Sequence, residues 1–223
     1  SKYRLTYAEV EEAILRKKKI GSTSVNESIN ALKDLTIALL DKRAKRNALE
    51  IESNEPILKI NNIGKVEAIN LSRRMFAHQM IEEAMIAANI CAIMFVKSSL
   101  EISINRFHDK PDADKLLALF EKFQSFGLKK SDDPIILLQR CIEIAKRSEN
   151  ATSLQSLILQ GLPRAIYSSK KSSHFGLQLE EYSHFTSPIR RYPDLIIHRL
   201  IKSILKKEKV HFDEEVFEDA ETY

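Results

Sequence analysis

Apolar side chains recur at helical spacing through most of the chain. Residues 26–49 place isoleucine and leucine three or four positions apart, and residues 72–97 repeat this spacing among many alanines. Between these two segments, residues 49–69 alternate apolar and polar positions around Asn, Pro and Gly, which predicts a small antiparallel meander. Residues 102–107 alternate in the same way and predict one more strand. The pattern therefore predicts a mixed α/β fold, mainly helical, with helices packed on short and mostly antiparallel strands.

Capping signals indicate where the predicted helices begin. Thr6 and Glu9 have the spacing of a capping box, in which each side chain accepts a hydrogen bond from the other residue's backbone. Pro111 and Pro134 each suit the first turn of a helix, where a missing N–H costs nothing. Ser72 is expected to cap the long helix that ends near residue 97.

The later part of the chain is predicted to be more interrupted. A helix over 152–166 is expected to break or kink at its internal glycine and proline. Residues 174–177 and 182–185 are predicted to be extended. The last helix should cover roughly 192–207, with a separate start near Tyr192, because Pro193 would break a helix begun at Pro188.

Composition favours one globular domain. The chain has 223 residues, of which 43% are hydrophobic and 30% charged, and no Gly/Ser linker divides it. We therefore predict a single domain over 1–223, with an acidic tail at 209–223 that could be flexible. No apolar run approaches the roughly 18 residues of a membrane span, and no signal-peptide pattern is found, so we expect no membrane partner and a cytoplasmic location. Cys91 and Cys141 are expected to be buried free thiols.

The net charge of +4 is small, but basic residues are clustered. Clusters at 16–19 and 42–46 are most simply interpreted as solvated helix faces. Residues 190–209 hold seven Lys or Arg against two acids, and residues 213–221 then hold six acids. The third cluster overlaps the stretch with the strongest chemical pattern.

That stretch is His-Phe-Thr-Ser-Pro-Ile-Arg-Arg-Tyr-Pro-Asp at 184–194. Ser187 and the following proline suit a helix opening, where free N–H groups and the helix dipole attract an anion. The dipole disfavours Arg190 and Arg191 at such a position, whereas a bound phosphate would explain both. The residues alone leave this explanation level with the alternative, an ion pair with an acid such as Asp194.

Residues 104–111 end a predicted strand in Arg106, Phe107 and His108. Strand alternation would put Arg106 and His108 on one face, where such residues can hold a phosphate while an aromatic ring stacks a base. The alternative favoured by the pattern places Phe107 in the core and leaves Arg106 solvated.

The residue pattern does not predict a metal site. His78, Glu82 and Asn89 share a face of the 72–97 helix, where they would orient a neighbouring loop or line the rim of a cleft. The vicinal pair Asp132–Asp133 precedes a proline, and helix capping explains it. Two-metal phosphoryl chemistry needs several converging carboxylates, which this sequence does not offer.

Four stretches resemble, in order, the catalytic domain of the ribonuclease II/ribonuclease R family of exoribonucleases. They are RLTYAEV (4–10), AHQMIEEAMIAANICA (77–92), INRFHDKP (104–111) and HFGLQLEEYSHFTSPIRRYPDLIIHRLI (174–201), the last closest to the ribonuclease R branch. The resemblance implies the later portion of the RNB catalytic-domain fold. It also implies a magnesium-dependent, processive 3′-to-5′ exoribonuclease that degrades single-stranded RNA to nucleoside monophosphates.

The family's magnesium-binding aspartates and its flanking oligonucleotide-binding domains would lie outside this chain, so the isolated chain is expected to be inactive. By the same resemblance Arg190 is the catalytic residue that stabilises charge on the scissile phosphate. The RNA-binding positions and the supporting positions it implies are Arg191, Ser187, Tyr182, Arg106, His108 and Phe107, and Glu82, Glu83 and Asn89. The alternative function is a catalytically inactive RNA-binding paralogue, and a helical interaction domain with incidental basic patches is a third.

Overall fold

A computed structural model describes residues 3–16, 18–51, 56–71, 74–208 and 216–217. Within them the fold is mainly helical, with short antiparallel strands, as predicted. The helices are α1 (Tyr7–Arg16), α2 (Thr23–Lys45), α3 (Phe76–Lys97), α4 (Ala113–Gln124), α5 (Pro134–Arg147), α6 (Ala151–Gly161) and α7 (Tyr192–Lys206). The strands are β1 (Pro56–Ile60), β2 (Val66–Leu71), β3 (Asn105–Phe107) and β4 (Ile166–Ser168), and a 3-10 helix covers Phe175–Leu177.

The described strands form two separate pairs. β1 and β2 make an antiparallel hairpin, with an irregularity between Lys59 and Ile60. β3 pairs with β4 in antiparallel register, so that Arg106 lies opposite Tyr167. This second pair matters for function, because it fixes the predicted strand end beside a segment from much later in the chain.

Most of the buried apolar side chains in the described residues belong to two clusters. One fills the space among α4, α5 and α6 and includes Phe123, Leu138 and Ile158. The other lies between α3 and α7 and includes Ile93 and Ile197. α1 and α2 pack on α3. α4, α5 and α6 are thus centred on their own core, while α3 and α7 carry the segment with the arginine motif.

Three local signals act as predicted. Thr6 and Glu9 form the capping box, in which the Thr6 N–H donates to the Glu9 carboxylate at 2.7 Å and the Glu9 N–H to the Thr6 hydroxyl at 3.3 Å. Pro134 lies in the first turn of α5, where the Asp133 side chain accepts the Ile135 N–H at 2.8 Å. The chain makes a turn over 188–190 and restarts as α7 at Tyr192.

Several predicted boundaries are wrong. The α2 helix covers Thr23–Lys45 instead of 26–49, and the strand predicted at 102–107 keeps only its last three residues. α4 begins at Ala113, two residues after Pro111, because Asp112 is the residue with extended backbone angles that precedes the helix. The α6 helix stops at Gly161 and Ile166 opens β4, so the helix predicted over 152–166 ends early.

His174 is extended as predicted, but residues 175–177 form a 3-10 turn, which the His174 ring caps by accepting the Leu177 N–H at 3.2 Å. In the predicted meander, Leu49 and Ile51 lie outside any strand. Ser72 falls outside the described residues, and the helix start predicted there is wrong, because α3 begins at Phe76 with Met75 in the cap position.

The two cysteines differ in burial. Cys141 is buried in the core of α4–α6, and burial raises the pKa of its thiol to about 12. Cys91 is exposed, contrary to the prediction, because it lies on the side of α3 that faces away from the α3–α7 core. Of the acidic tail, the structure describes Val216 and Phe217, and the Phe217 side chain is buried in the α3–α7 cluster.

α3 is long and apolar enough to cross a membrane by length and composition, although the sequence pattern predicted no such segment. This is weak evidence, since core helices of soluble proteins meet the same criterion. The buried face of α3 includes Glu83 and Asn89, which form an ion pair and hydrogen bonds with other parts of this chain. Those contacts fit a core helix.

Candidate nucleic-acid interface

The end of β3 and the arginine motif, more than 80 residues apart in sequence, meet through backbone contacts. The Arg106 N–H donates to the Tyr182 carbonyl at 2.7 Å. One residue later, the Ser183 hydroxyl donates to the Ile104 carbonyl. Residues 182–183 therefore run beside β3, and the motif that follows begins next to Arg106.

Arg106 is held by an aromatic ring that the sequence reading missed. Its guanidinium carbon lies 4.5 Å from the centre of the Tyr167 ring, on the neighbouring strand. The Tyr167 hydroxyl lies 2.8 Å from Nδ1 of His184. Because these residues belong to three separate segments, no local pattern marks them as neighbours.

His184 is the point around which the predicted arginines gather. Burial and the positive charges of Arg191, Arg106, His174 and Arg190 lower the pKa of its imidazole to about 3. The ring is therefore neutral at neutral pH, and arginines from two distant motifs act on it together. Arg106, Arg190 and Arg191 all act on His184, and the prediction that Arg106 and Arg190 face one common groove stays a prediction.

Arg190 and Arg191 are in different environments. Arg191 is largely buried and donates to Oδ1 of Asp194 at 2.8 Å. Asp194 is fully buried, and the same oxygen accepts the Ser187 N–H at 2.7 Å. Arg190 is exposed, on a turn whose backbone closes onto the Ser187 carbonyl. The ion pair with Asp194 therefore describes Arg191, and the Arg190 side chain is exposed at the surface.

Tyr182 is buried beneath this surface. Its hydroxyl accepts the Asn89 side-chain N–H at 2.9 Å, and burial raises the pKa of the phenol. Its ring meets the rings of His174 and His184 edge-on, at 5.3 and 5.7 Å between centres. The Tyr182 ring therefore lies under the arginine cluster, that is, Arg106, Arg190 and Arg191 with His184.

Two side chains fix the backbone of Phe185 from both sides. Asn89 accepts its N–H at 2.9 Å, and Nε2 of His198 donates to its carbonyl at 2.8 Å. The His198 ring also stacks on the Phe185 ring at 4.2 Å. The supporting position predicted for Asn89 thus has a structural basis, whereas His198 was missed, because only the fold brings α7 back onto this segment.

His108 and Phe107 are placed differently from the prediction. His108 is buried, with Nδ1 accepting the Gly176 N–H at 3.0 Å and Nε2 donating to the Pro163 carbonyl at 2.9 Å. Burial lowers the pKa of its imidazole. A Cβ on Gly176 would lie 3.1 Å from Nδ1, so a larger residue there would crowd the ring. Both ring nitrogens of His108 thus bond within the chain, and the residue connects β3 to the 3-10 segment.

Phe107 is also buried, with the Lys171 ammonium 4.9 Å from its ring centre. Its position agrees with the core alternative. The RNA contacts predicted for Phe107 and His108 stay predictions, and the geometry of both favours structural positions.

The family of the chain follows from comparison with known proteins. The RNB domain matches residues 1–207. The chain belongs to the RNB-domain family of ribonuclease R-like exoribonucleases. It is 39% identical to ribonuclease R of Escherichia coli K12 over 178 residues, which are 78% of this chain and 22% of that protein. It is 32% identical to ribonuclease R of Aquifex aeolicus over 218 residues, 96% of this chain and 31% of that protein.

Solved RNB-domain structures have the same fold. Mycoplasma genitalium RNase R in complex with ribose-methylated single-stranded RNA matches with a TM-score of 0.83 and 25% identity, over 96% of this chain and 35% of that one. Yeast Ssd1, a pseudonuclease, matches with a TM-score of 0.71 and 20% identity, over 98% of this chain and 27% of that one, and shows the fold alone. The chain spans between a fifth and about a third of the length of these relatives.

In this RNB-domain segment, Glu82 and Glu83 connect helices at a distance from the arginine cluster. Arg43 of α2 donates to Glu83, which is almost fully buried, and to the Leu49 carbonyl at 3.2 Å. Glu82 accepts from Arg74 at 2.6 Å. Glu83 thus joins α2 to α3, and Glu82 joins the segment before α3 to that helix. The role predicted for both residues was a supporting one, and these contacts are structural.

The same contacts correct the interpretation of the basic cluster at 42–46. Arg43 is buried, and Nε of Arg46 donates to the Leu177 carbonyl at 2.9 Å. Lys42 and Lys45 are exposed, as on a solvated helix face. Arg43 and Arg46 therefore hold parts of the fold together, whereas Lys42 and Lys45 form the solvated part of the cluster.

Metal ligation is not available in the described part of the RNB segment. Among those residues, no three His, Cys, Asp or Glu side chains converge in a way that could hold a metal ion. The described residues therefore do not fit a magnesium site.

Proposed function

We propose that the chain is the RNA-gripping portion of a 3′-to-5′ exoribonuclease that hydrolyses single-stranded RNA processively to nucleoside monophosphates. The observation that carries this proposal is that Arg106 lies beside residues 182–184, which lead directly into the motif with the exposed Arg190. Arg191 is paired with Asp194, whereas Arg106 and Arg190 suit a phosphate because arginine stays charged when desolvated. The relative that binds single-stranded RNA has the same fold.

Within this function, Arg190 is the residue that acts on the scissile phosphate. It is exposed at the tip of a turn held by Asp194 and Ser187. A cation fixed in this way can stabilise charge that develops on the phosphoryl oxygens in the transition state. Arg191 and Tyr182 keep that turn in place and set the charge around it.

Recognition should not depend on base sequence. The cluster presents guanidinium groups, which suit phosphates more than base edges. Single-stranded RNA is thus the expected partner for the whole surface, with flanking oligonucleotide-binding domains guiding it in the longer protein.

Magnesium remains part of the proposal for the complete enzyme. The described residues do not fit a metal site, so the metal ligands would come from another part of the catalytic domain. We also propose a cytoplasmic location, because both cysteines are free thiols.

A catalytically inactive RNA-binding paralogue is the second candidate function. The observation that favours it is the shared fold of yeast Ssd1, a pseudonuclease. RNA binding is common to both candidates, and cleavage by the protein that contains this chain distinguishes them. Magnesium-dependent release of monophosphates supports the enzyme, and binding without release supports the paralogue.

The experiment for the shared part is fluorescence anisotropy of the chain with labelled single-stranded RNA of several sequences over a salt series. Arg190→Gln and Arg106→Gln should each weaken binding at low salt for all sequences and make the salt dependence shallower. The matched control is Arg147→Gln, an exposed arginine at the end of α5 that removes the same charge. Equal losses in all three variants would contradict a specific RNA surface.

A further inference from the structure

We propose that His184 contacts RNA directly, donating a hydrogen bond from Nε2–H to a phosphate oxygen, and that the Tyr167 hydroxyl holds it in the required tautomer. This inference rests on the proposed RNA-binding function. It adds a neutral donor to a cluster otherwise composed of arginines.

The Tyr167 hydroxyl determines where the neutral His184 ring carries its hydrogen. Nδ1 of His184 lies 2.8 Å from that hydroxyl. A phenol is the stronger hydrogen-bond donor of the two groups, and an unprotonated imidazole nitrogen is the stronger acceptor. If Tyr167 donates to Nδ1, the neutral ring carries its hydrogen on Nε2.

Nε2 of His184 makes no hydrogen bond with the part of the chain that the structure describes. It is also not among the fully buried atoms that lack a partner. Nε2 therefore reaches the surface of the cluster. In this it differs from Nε2 of His108 and of His198, which both donate to backbone carbonyls.

Three arginines act electrostatically on the His184 ring. Arg106 approaches from β3, and Arg190 and Arg191 from the turn before α7. His174 also acts on the ring, and the neutral phenols Tyr167 and Tyr182 contact it. Arg191 is paired with the buried Asp194, so an anion drawn to Arg106 and Arg190 arrives at the open ring nitrogen of His184.

RNA binding should change the protonation of the His184 imidazole. Burial and the arginines hold the pKa of His184 at about 3, so the free ring is a neutral donor. A phosphate beside Nε2 would favour the charged form and offset part of the arginine field. Bound RNA should therefore raise the pKa of His184.

The tautomer can be tested without RNA. Nitrogen-15 NMR of the imidazole rings should show His184 as the Nε2–H form, and the Tyr167→Phe variant should show a mixture of tautomers. His184→Gln assigns the resonance. A wild-type ring in the Nδ1–H form would overturn the proposal, because its Nε2 could not donate.

The RNA contact is tested by following the His184 resonance through a pH titration, with and without millimolar oligoadenylate. The expected result is an upward shift of the His184 pKa by about one unit or more with RNA. RNA binding with no movement of the His184 pKa would overturn this inference alone. No RNA binding by the wild-type chain would instead overturn the proposed function.

Substitutions supply a matched pair. His184→Ala should weaken RNA binding about 10-fold, the size expected for losing a hydrogen bond to a charged group. His184→Gln keeps an N–H donor of similar reach and should stay within about 3-fold of wild type. Equal losses in the two variants, with unchanged unfolding midpoints, would contradict a donor contact.

Discussion

The side-chain oxygen of Asn89, in the middle of α3, accepts the backbone N–H of Phe185 at 2.9 Å, while its amide N–H donates to the Tyr182 hydroxyl. One buried side chain thus fixes two points of the segment that leads into the arginine motif. Asn89→Leu should lower the free energy of unfolding by about 2 kcal/mol or more, because it leaves buried groups unpaired. Urea denaturation measures this, with the exposed Cys91→Ala on the same helix as a control expected within about 0.5 kcal/mol.

Acid should destabilise the fold through the buried histidines. Burial comes first among the causes that hold the pKa of His174 at about 4 and that of His184 at about 3, whereas an unfolded histidine titrates near 6.5. Between these values the unfolded chain binds more protons, so stability rises with pH and is lost as pH falls from about 6.5 towards 4. Each ring contributes at most about 1.4 kcal/mol per pH unit.

Urea midpoints at pH 7, 6, 5 and 4 test this pH dependence. His184→Gln should flatten the profile, whereas His78→Gln serves as the control. A wild-type midpoint that does not change over this range would contradict the burial of neutral rings.

The buried ion pair between Arg43 and Glu83 should be costly to break. Glu83→Gln removes the buried carboxylate that pairs with Arg43, leaving Glu82 at 3.4 Å as the nearest acid, and should cost about 3 kcal/mol. Glu12→Gln, which removes an exposed pair with Arg16, should cost less than about 1 kcal/mol. Thermal or urea unfolding of the two variants makes the comparison, and similar costs would show that burial of the pair does not matter.

In the longer enzyme, Arg190→Ala should lower turnover far more than RNA affinity. A cation that acts on developing charge is worth about 10²- to 10³-fold in rate, while the remaining phosphate contacts preserve binding. Single-turnover cleavage and equilibrium binding are measured on the same variant. A parallel loss in both would reduce Arg190 to a binding residue.

The isolated chain should show no magnesium-dependent nuclease activity. Its described residues do not converge on a metal site, and metal charge with positioning supplies most of phosphoryl-transfer catalysis. The assay is release of nucleoside monophosphates from a single-stranded oligomer by rigorously purified 1–223. Reproducible release that co-elutes with the chain would contradict the prediction.

Signals that act within one turn of helix were readable from the sequence. The capping box of Thr6 and Glu9 and the start of α5 at Pro134 depend on residues two or three positions apart. The restart of α7 at Tyr192 follows from the geometry of proline alone. Such features need no knowledge of the rest of the fold.

Contacts across the fold could not be read in the same way. Whether His108 is exposed depends on Gly176 and Pro163, which reach it from two later segments. Tyr167 becomes the platform for Arg106 only because β4 pairs with β3. The family resemblance supplied the motif arginines, but it did not show that Arg191 is paired and Arg190 is presented.

The separate core of α4, α5 and α6 has a consequence for how this segment can vary. Because these helices bury their apolar side chains mainly against one another, the exposed turn at 125–127 after α4 can lengthen or carry an inserted peptide without moving Arg106 or Arg190, whereas Leu128 beyond it belongs to the core. It is a place for an affinity tag or a fluorophore that leaves the RNA surface undisturbed. In related chains, changes of length should be concentrated there, and the turn between Ser187 and Arg191 should keep its length.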